Sequence, residues 1–226
     1  MKKRTAFIGA ILSLIPLGQP LLIKTGLVLS TAGLIISVPE KVNAESADFY
    51  FDRALEKSKK GDYYGAISDF SKAIEINPYD DYAFYNRGWN KAKLKDHYGA
   101  ISDYTKAIEI NPHESAYYNR GISKRTLKDY YGAISDYKKS IEINPQKLDA
   151  YNNISYIKRN KEINDNYGAI FYATKAIEID PNYSSAYLNR GVAKENLGDM
   201  NGACDDWRKA SSLGNESTAE WVRNQC

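Results

Sequence analysis

Gly65-Ala66-Ile67-Ser68-Asp69-Phe70-Ser71-Lys72-Ala73-Ile74-Glu75-Ile76-Asn77-Pro78 is written several times over in this chain, nearly verbatim at Gly99 to Pro112 and at Gly132 to Pro145. A looser copy runs from Gly168 to Pro181, and a fifth starts at Gly202-Ala203 and ends near Asn215 without a proline. The spacing stays close to 34 residues. A unit of that length with helical periodicity cannot bury its apolar face alone, so neighbouring copies must stack on one continuous core. Each copy holds two helices. In the second, Asp81 to Leu94 places Phe84, Gly88 and Ala92 at helical spacing, Lys95-Asp96 makes a polar turn, and His97 to Ile110 repeats the pattern. Asn-Pro then stops it, because the residue before a proline is pushed out of the helical region.

Within each copy a small residue, an aromatic four later, an alanine and a closing proline recur. They read Ala66, Phe70, Ala73 and Pro78, then Ala100, Tyr104, Ala107 and Pro112, then Ala133, Tyr137, Ser140 and Pro145. The fourth copy is less faithful, with Ala169, Ala173, Ala176 and Pro181, and the last keeps Ala203, Trp207 and Ala210. From Ala47 onward the chain resembles a tetratricopeptide repeat protein. That resemblance implies an all-α, right-handed superhelical solenoid of five helix pairs over residues 47–80, 81–113, 114–147, 148–183 and 184–215, closed by a capping helix over 216–226.

Composition suits a helical array: 26% of residues are charged, with nineteen tyrosines and seven prolines, and no alternation of strand type competes. The formal charge of +3 is misleading. Lys2, Lys3, Arg4, Lys24 and Lys41, set against Glu40, supply a net +4 ahead of Glu45, which leaves the repeats near −1. A role for the array in binding nucleic acid therefore has little electrostatic basis.

Residues 1–44 are a different object. A basic start at Lys2-Lys3-Arg4 precedes two apolar runs, Thr5 to Ile23 (broken by Pro16, Gln19 and Pro20) and Thr25 to Val38. Val42-Asn43-Ala44 then offers small residues for signal peptidase. The segment reads as an export signal cut after Ala44, with an uncleaved membrane anchor through residues 5–38 as the alternative. Either form leaves the repeats on the far side of the membrane, periplasmic, luminal or secreted. The two cysteines fit an oxidising compartment. Joining Cys204 to Cys226 would pin the last helix over the open end of the array, while two free thiols is the other reading.

Counting each copy so that its proline is position 32 exposes a pairing rule. Position 7 holds Arg53, Arg87, Arg120, Ile154 and Arg190, and position 23 holds Asp69, Asp103, Asp136, Tyr172 and Asp206. The fourth copy loses both charges together, which predicts an arginine–aspartate bridge between the two helices of every other copy. Position 11 is Lys57, Lys91, Lys124, Lys158 and Lys194. These read either as solvated or bridging lysines or as a basic track.

The resemblance places function on the concave face formed by the first helices. It implies a peptide groove floored by Tyr85, Trp89, Tyr118, Ile122 and Tyr156 and edged by Lys93, Arg125 and Arg159, suited to a segment with apolar anchors and some acidic residues. The family's clamp for a chaperone's terminal carboxylate is disfavoured, because Phe51 and Leu55 stand where it resembles lysine and asparagine and only Asn86 matches. No catalytic or metal-binding constellation is visible: His97 and His113 stand apart from the cysteines, and the glycines are single. The chain is thus expected to be a non-enzymatic protein- or peptide-binding module without cofactors. A scaffold that self-associates or works through its convex face is the alternative. The fourth copy carries two extra residues around Lys161 to Asp165, read either as drift in a tolerant turn or as a kink that shapes a pocket beside Tyr156 and Arg159.

Overall fold

The computed structural model describes residues 46–226. The leader or anchor expected over residues 1–44, and any attachment through residues 5–38, lie outside the described residues. Within them the chain folds into eleven helices, which pack in sequential pairs. The pairs are α1 (Ala47–Lys59) with α2 (Tyr63–Ile76), α3 (Asp81–Lys93) with α4 (His97–Ile110), and α5 (Glu114–Thr126) with α6 (Tyr130–Ile143). They continue with α7 (Leu148–Lys158) and α8 (Asn166–Ile179), then α9 (Ser184–Asn196) and α10 (Met200–Ser212). The single helix α11 (Glu216–Gln225) covers α10. The architecture is an all-α solenoid with a terminal cap.

Each second helix starts on the same device. Asp62, Asp96, Asp129, Asp165 and Asp199 accept a hydrogen bond from the backbone N–H of the glycine three residues on, at 2.8–2.9 Å. The carboxylate satisfies an orphan donor and complements the helix dipole. It also explains the glycine that heads every repeated segment: a Cβ on Gly99 would lie 2.1 Å from the capping Asp96 Oδ2. Pro78, Pro112, Pro145 and Pro181 lie just beyond the other ends of α2, α4, α6 and α8, where no backbone N–H is required.

The core is built from small residues on one helix facing an aromatic on the next. A Cβ on Gly121 would sit 2.8 Å from the Tyr137 ring, and one on Gly191 would sit 2.4 Å from Trp207 Nε1. Phe70, Tyr104, Tyr137 and Trp207 are fully buried at this seam. The fourth pair departs in step on both sides: Ser155 replaces the glycine and Ala173 the aromatic, while Ile154 and Ile157 fill the space. Volume is conserved by exchange between helices, as close packing demands.

Bidentate ion pairs tie the two helices of four pairs together. Arg53, Arg87, Arg120 and Arg190 each donate from Nε and Nη2 to both oxygens of Asp69, Asp103, Asp136 and Asp206, at 2.6–2.9 Å. The aspartates are at most 5% exposed. Lys57, Lys91, Lys124 and Lys194 reach the same carboxylates at 2.7–2.8 Å, so these lysines belong to the bridges and do not form a free basic track. Asp69 has its pKa lowered to about 2, chiefly by Arg53. The remaining Nη1 reaches back to the preceding repeat, from Arg87 to Ser71, Arg120 to Thr105 and Arg190 to Thr174. Where Ile154 has no guanidinium, the matching position of α6 is Lys138, which is exposed. Lys158 turns instead to Asp165, the cap of α8.

At the far end Cys204 and Cys226 form a disulfide with a Cα–Cα distance of 5.6 Å. Trp221 of α11 packs edge-on against Trp207 at 5.3 Å. The bond and the ring contact hold α11 across α10, whose apolar face would otherwise meet water.

Asp103→Ala is expected to lower stability by about 3 kcal/mol, because it strands a partly buried guanidinium and ammonium without their anion. Replacing the pair with the fourth repeat's residues, Arg87→Ile with Asp103→Tyr, is expected to recover most of that loss, with Lys91 free to turn to Asp96. Urea unfolding followed by circular dichroism measures both. Reducing the disulfide is expected to cost about 3 kcal/mol of end stability for a loop of this size. Amide exchange should then quicken in α11 while α1 to α8 are unaffected.

Candidate functional site: the inner face of the first helices

In a curved stack the elements that touch across a repeat lie on the inside. Here α3 touches α5 and α7 touches α9, in addition to each helix's own partner, so the first helices form the inner face. Residues five and six positions into each first helix form a ladder along it. Asn119 donates to the Tyr85 hydroxyl at 2.8 Å, Asn153 to the Tyr118 hydroxyl at 3.1 Å, and Asn189 to Asn152 Oδ1 at 2.6 Å. The ladder stops at the first repeat, where Phe51 cannot accept. Asn86 turns there to the Tyr82 carbonyl of its own helix.

Tyr85, Trp89 and Tyr118 of the expected groove are half-buried, and the hydroxyls of Tyr85 and Tyr118 are engaged. Tyr85 lies 5.8 Å from Tyr104 and 5.2 Å from His113. Tyr118 lies 5.6 Å from Tyr137, with the Lys147 ammonium 4.6 Å above its ring. Burial raises the Tyr85 pKa and pushes that of Tyr118 up to about 12, so both remain neutral hydrogen-bonding groups near neutral pH. Trp89 meets Tyr63 edge-on at 6.1 Å and carries Lys93 at 4.7 Å over its face. Ile122 packs at the rim of the cluster around Tyr137 and Ile154.

The structure brings Arg125, Tyr156 and Arg159 together and sets Trp89 and Lys93 apart from them, nearer the first repeats. Tyr156 is 43% exposed and lies between two guanidinium groups, Arg125 at 5.6 Å and Arg159 at 4.9 Å from its ring centre. Arg125 donates to Asn153 Oδ1 at 2.9 Å and Arg159 to Asn189 Oδ1 at 3.0 Å, each held by an asparagine of the next first helix. Beside them an open pocket of about 290 Å³ is lined by Tyr156, Arg159, Asn160, Lys161, Val192 and Asn196. It opens at the longer connection between α7 and α8, where the two extra residues lie. Sequence reasoning missed Asn153, Asn196, Lys147 and the Ser71, Thr105 and Thr174 bonds. Of these, the reach-back bonds left a legible trace, because Lys138 takes the place of the hydroxyl only where the next repeat has Ile154 in place of arginine.

His113 caps α5. Its Nδ1 accepts from the Ala116 N–H at 3.3 Å, and its ring stacks on Tyr82 at 6.1 Å. Among the described residues, no group of three or more histidine, cysteine or acidic side chains could hold a metal ion, and no helix is long and apolar enough to cross a membrane.

Fold and inner face define a repeat protein of the helix-pair class. Models described as tetratricopeptide repeat match residues 47–80, 82–114, 115–147, 148–183 and 172–205, and the chain belongs to that family. No curated protein matches it in sequence. Among solved structures it is similar to a MamA protein at 25% identity, with a TM-score of 0.71 over 78% of this chain and 96% of that one. MamA from Desulfovibrio magneticus RS-1 shares 20% identity and a TM-score of 0.69 over 74% of this chain and 94% of the other. YrrB, described as a TPR protein with an unusual peptide-binding site, shares 20% identity and a TM-score of 0.70 over 80% and 93%. The last two likenesses concern the fold alone.

Burial lowers the His113 pKa below its ordinary value, with Asp81 and Glu114 opposing. Because the unfolded chain then binds the proton more readily, the cap's contribution is present above about pH 6.5 and is lost as the pH falls through the depressed folded value. The urea midpoint should fall between pH 7.5 and pH 5 by the equivalent of about 1 kcal/mol, the worth of a cap. His113→Asn, a cap that does not titrate there, is expected to flatten that slope.

Proposed function

We propose that this chain is an exported or membrane-anchored interaction module that binds a protein segment along the inner face of its first helices. The observation that carries the reading is the line of half-buried aromatics, Tyr85, Trp89, Tyr118 and Tyr156, with Lys93, Arg125 and Arg159 at their edges. Such side chains supply most binding hot spots. The asparagine ladder and the ion-pair bridges hold that surface in place before a partner arrives, so little conformational entropy is lost on binding. Membership of the repeat family supports protein binding in general, and the peptide site of YrrB supports a segment as the ligand. The basic, then apolar, leader supports export or anchoring, and the disulfide suits an oxidising compartment.

A second reading rests on the other surface. Tyr64, Tyr98, Tyr131 and Tyr167 stand at matching places near the starts of α2, α4, α6 and α8, each 76–77% exposed. They would suit a scaffold that works through its outer face or by self-association.

Affinity capture in the native host with the full chain and with a Trp89→Ala, Arg125→Glu variant of equal helicity tests the two. A partner kept by the first and lost by the second is the expected result. Equal capture by both, or mass that grows with concentration in light scattering, would replace the groove with the scaffold.

A further inference from the structure

In four repeats the arginine of the first helix is matched by a buried aspartate. Arg159 has no such anion. Its Nε donates to Asn189 Oδ1, a neutral acceptor, and among the described residues neither Nη donates a hydrogen bond to a protein group. The group is half-buried, and burial lowers its pKa with no carboxylate among the causes. Arg125, on the other side of Tyr156, is likewise held by an amide and not by an acid. The pocket that Arg159 lines is further edged by the exposed Lys161, and no carboxylate lines it. A partly desolvated guanidinium without an anion is costly unless a ligand supplies one.

The rest of the lining states what accompanies that anion. Val192 and the exposed edge of Tyr156 offer apolar contact, while the Asn160 oxygen is held by the Glu162 N–H and the Asn196 amide nitrogen by Asn166 Oδ1 and the Arg159 carbonyl, so both are fixed walls of the pocket. At about 290 Å³ the pocket falls at the low end of small-molecule sites, which suits a residue or two of a partner more than a cofactor. It opens on the inner face, made by α7, α9 and the connection after α7, so a chain lying along the aromatics passes over it.

Resting on the groove reading above, we propose that the pocket between the fourth and fifth repeats is an acidic subsite. It takes an internal glutamate or aspartate side chain of the bound segment by a two-pronged bond to Arg159, with an adjacent apolar side chain against Val192 and Tyr156. Planar guanidinium is the side chain whose fork matches a carboxylate. Lys161 adds charge at the rim, and Arg125 steadies the far side of Tyr156. The longer connection of the fourth repeat thereby acquires a use: it carries Lys161 to the rim of the site.

The test uses the full chain and two capped dipeptides, N-acetyl-Glu-Leu-amide and N-acetyl-Gln-Leu-amide, titrated by saturation-transfer NMR on the leucine methyls. The glutamate form is expected to bind about tenfold more tightly, the scale of one charge-assisted pair. Arg159→Gln should abolish the preference, and Lys161→Gln, at an exposed site that leaves the fold alone, should reduce it. Equal binding of the two dipeptides, or a preference that survives Arg159→Gln in a chain of unchanged helicity, would overturn the subsite. N-acetyl-Gln-Leu with a free terminal carboxylate, binding as well as the glutamate form, would overturn its assignment to a side chain. Trp89→Ala lies outside the pocket and should keep the preference. A dipeptide result that fails while Trp89→Ala still loses the native partner therefore removes the subsite and leaves the groove standing.

Discussion

The arginine–aspartate fork is the contact on which the rest of the array depends. It fixes one helix against the next by two parallel hydrogen bonds, draws a lysine into the same carboxylate, and sends its third nitrogen to the preceding repeat. A buried pair of this sort gains little net free energy, since desolvation offsets most of the attraction. Its contribution is geometric: a planar fork admits few angles, so each helix pair is set alike and the errors do not accumulate along the stack.

The fourth repeat shows what happens when that constraint is lifted. Ile154 and Tyr172 replace the pair, Ser155 and Ala173 replace the glycine and the aromatic, and the exposed Lys138 stands at the position where Ser71, Thr105 and Thr174 take the guanidinium of the following repeat. The junction between α6 and α7 is held by an apolar cluster of Tyr137, Ala150, Ile154 and Ile157 in place of a directed bond. Lys158, released from its usual aspartate, holds the cap of α8 instead. The longer connection and the pocket lie at the far end of this same helix pair. Departure from the repeat rule and the pocket on the inner face therefore coincide, as they tend to where local consistency is exchanged for a site.

Along the inner face the side chains proposed for recognition also order the stack. Tyr85 and Tyr118 are pinned by asparagines of the following helix, and Arg125 and Arg159 are oriented by Asn153 and Asn189. A partner would thus meet groups whose rotamers are already chosen, with the faces of Trp89 and Tyr156 covered in part by cations that a ligand can displace or share.

How much of this was legible beforehand differs by kind of contact. The helix pairs, their order, the cap and the arginine–aspartate partners could all be read from one chain, because a repeat presents the same position five times and paired residues change together. Helix periodicity and proline stops act locally and leave marks at fixed spacing. What depends on the distance between successive repeats was decided only by the tertiary structure. Lysine at position 11 could have been a free track until the carboxylates were seen within its reach. Asn153 and Asn189 became ladder rungs because the packing of successive first helices brings side chains 35 and 37 residues apart in sequence within hydrogen-bond distance, at 3.1 and 2.6 Å. The pocket lies where the longer connection after α7, readable in sequence as drift, brings Asn160 and Lys161 beside Arg159, Val192 and Asn196. Periodicity determines which faces pack, while the unpaired charge and the empty space beside it follow from how closely those faces meet.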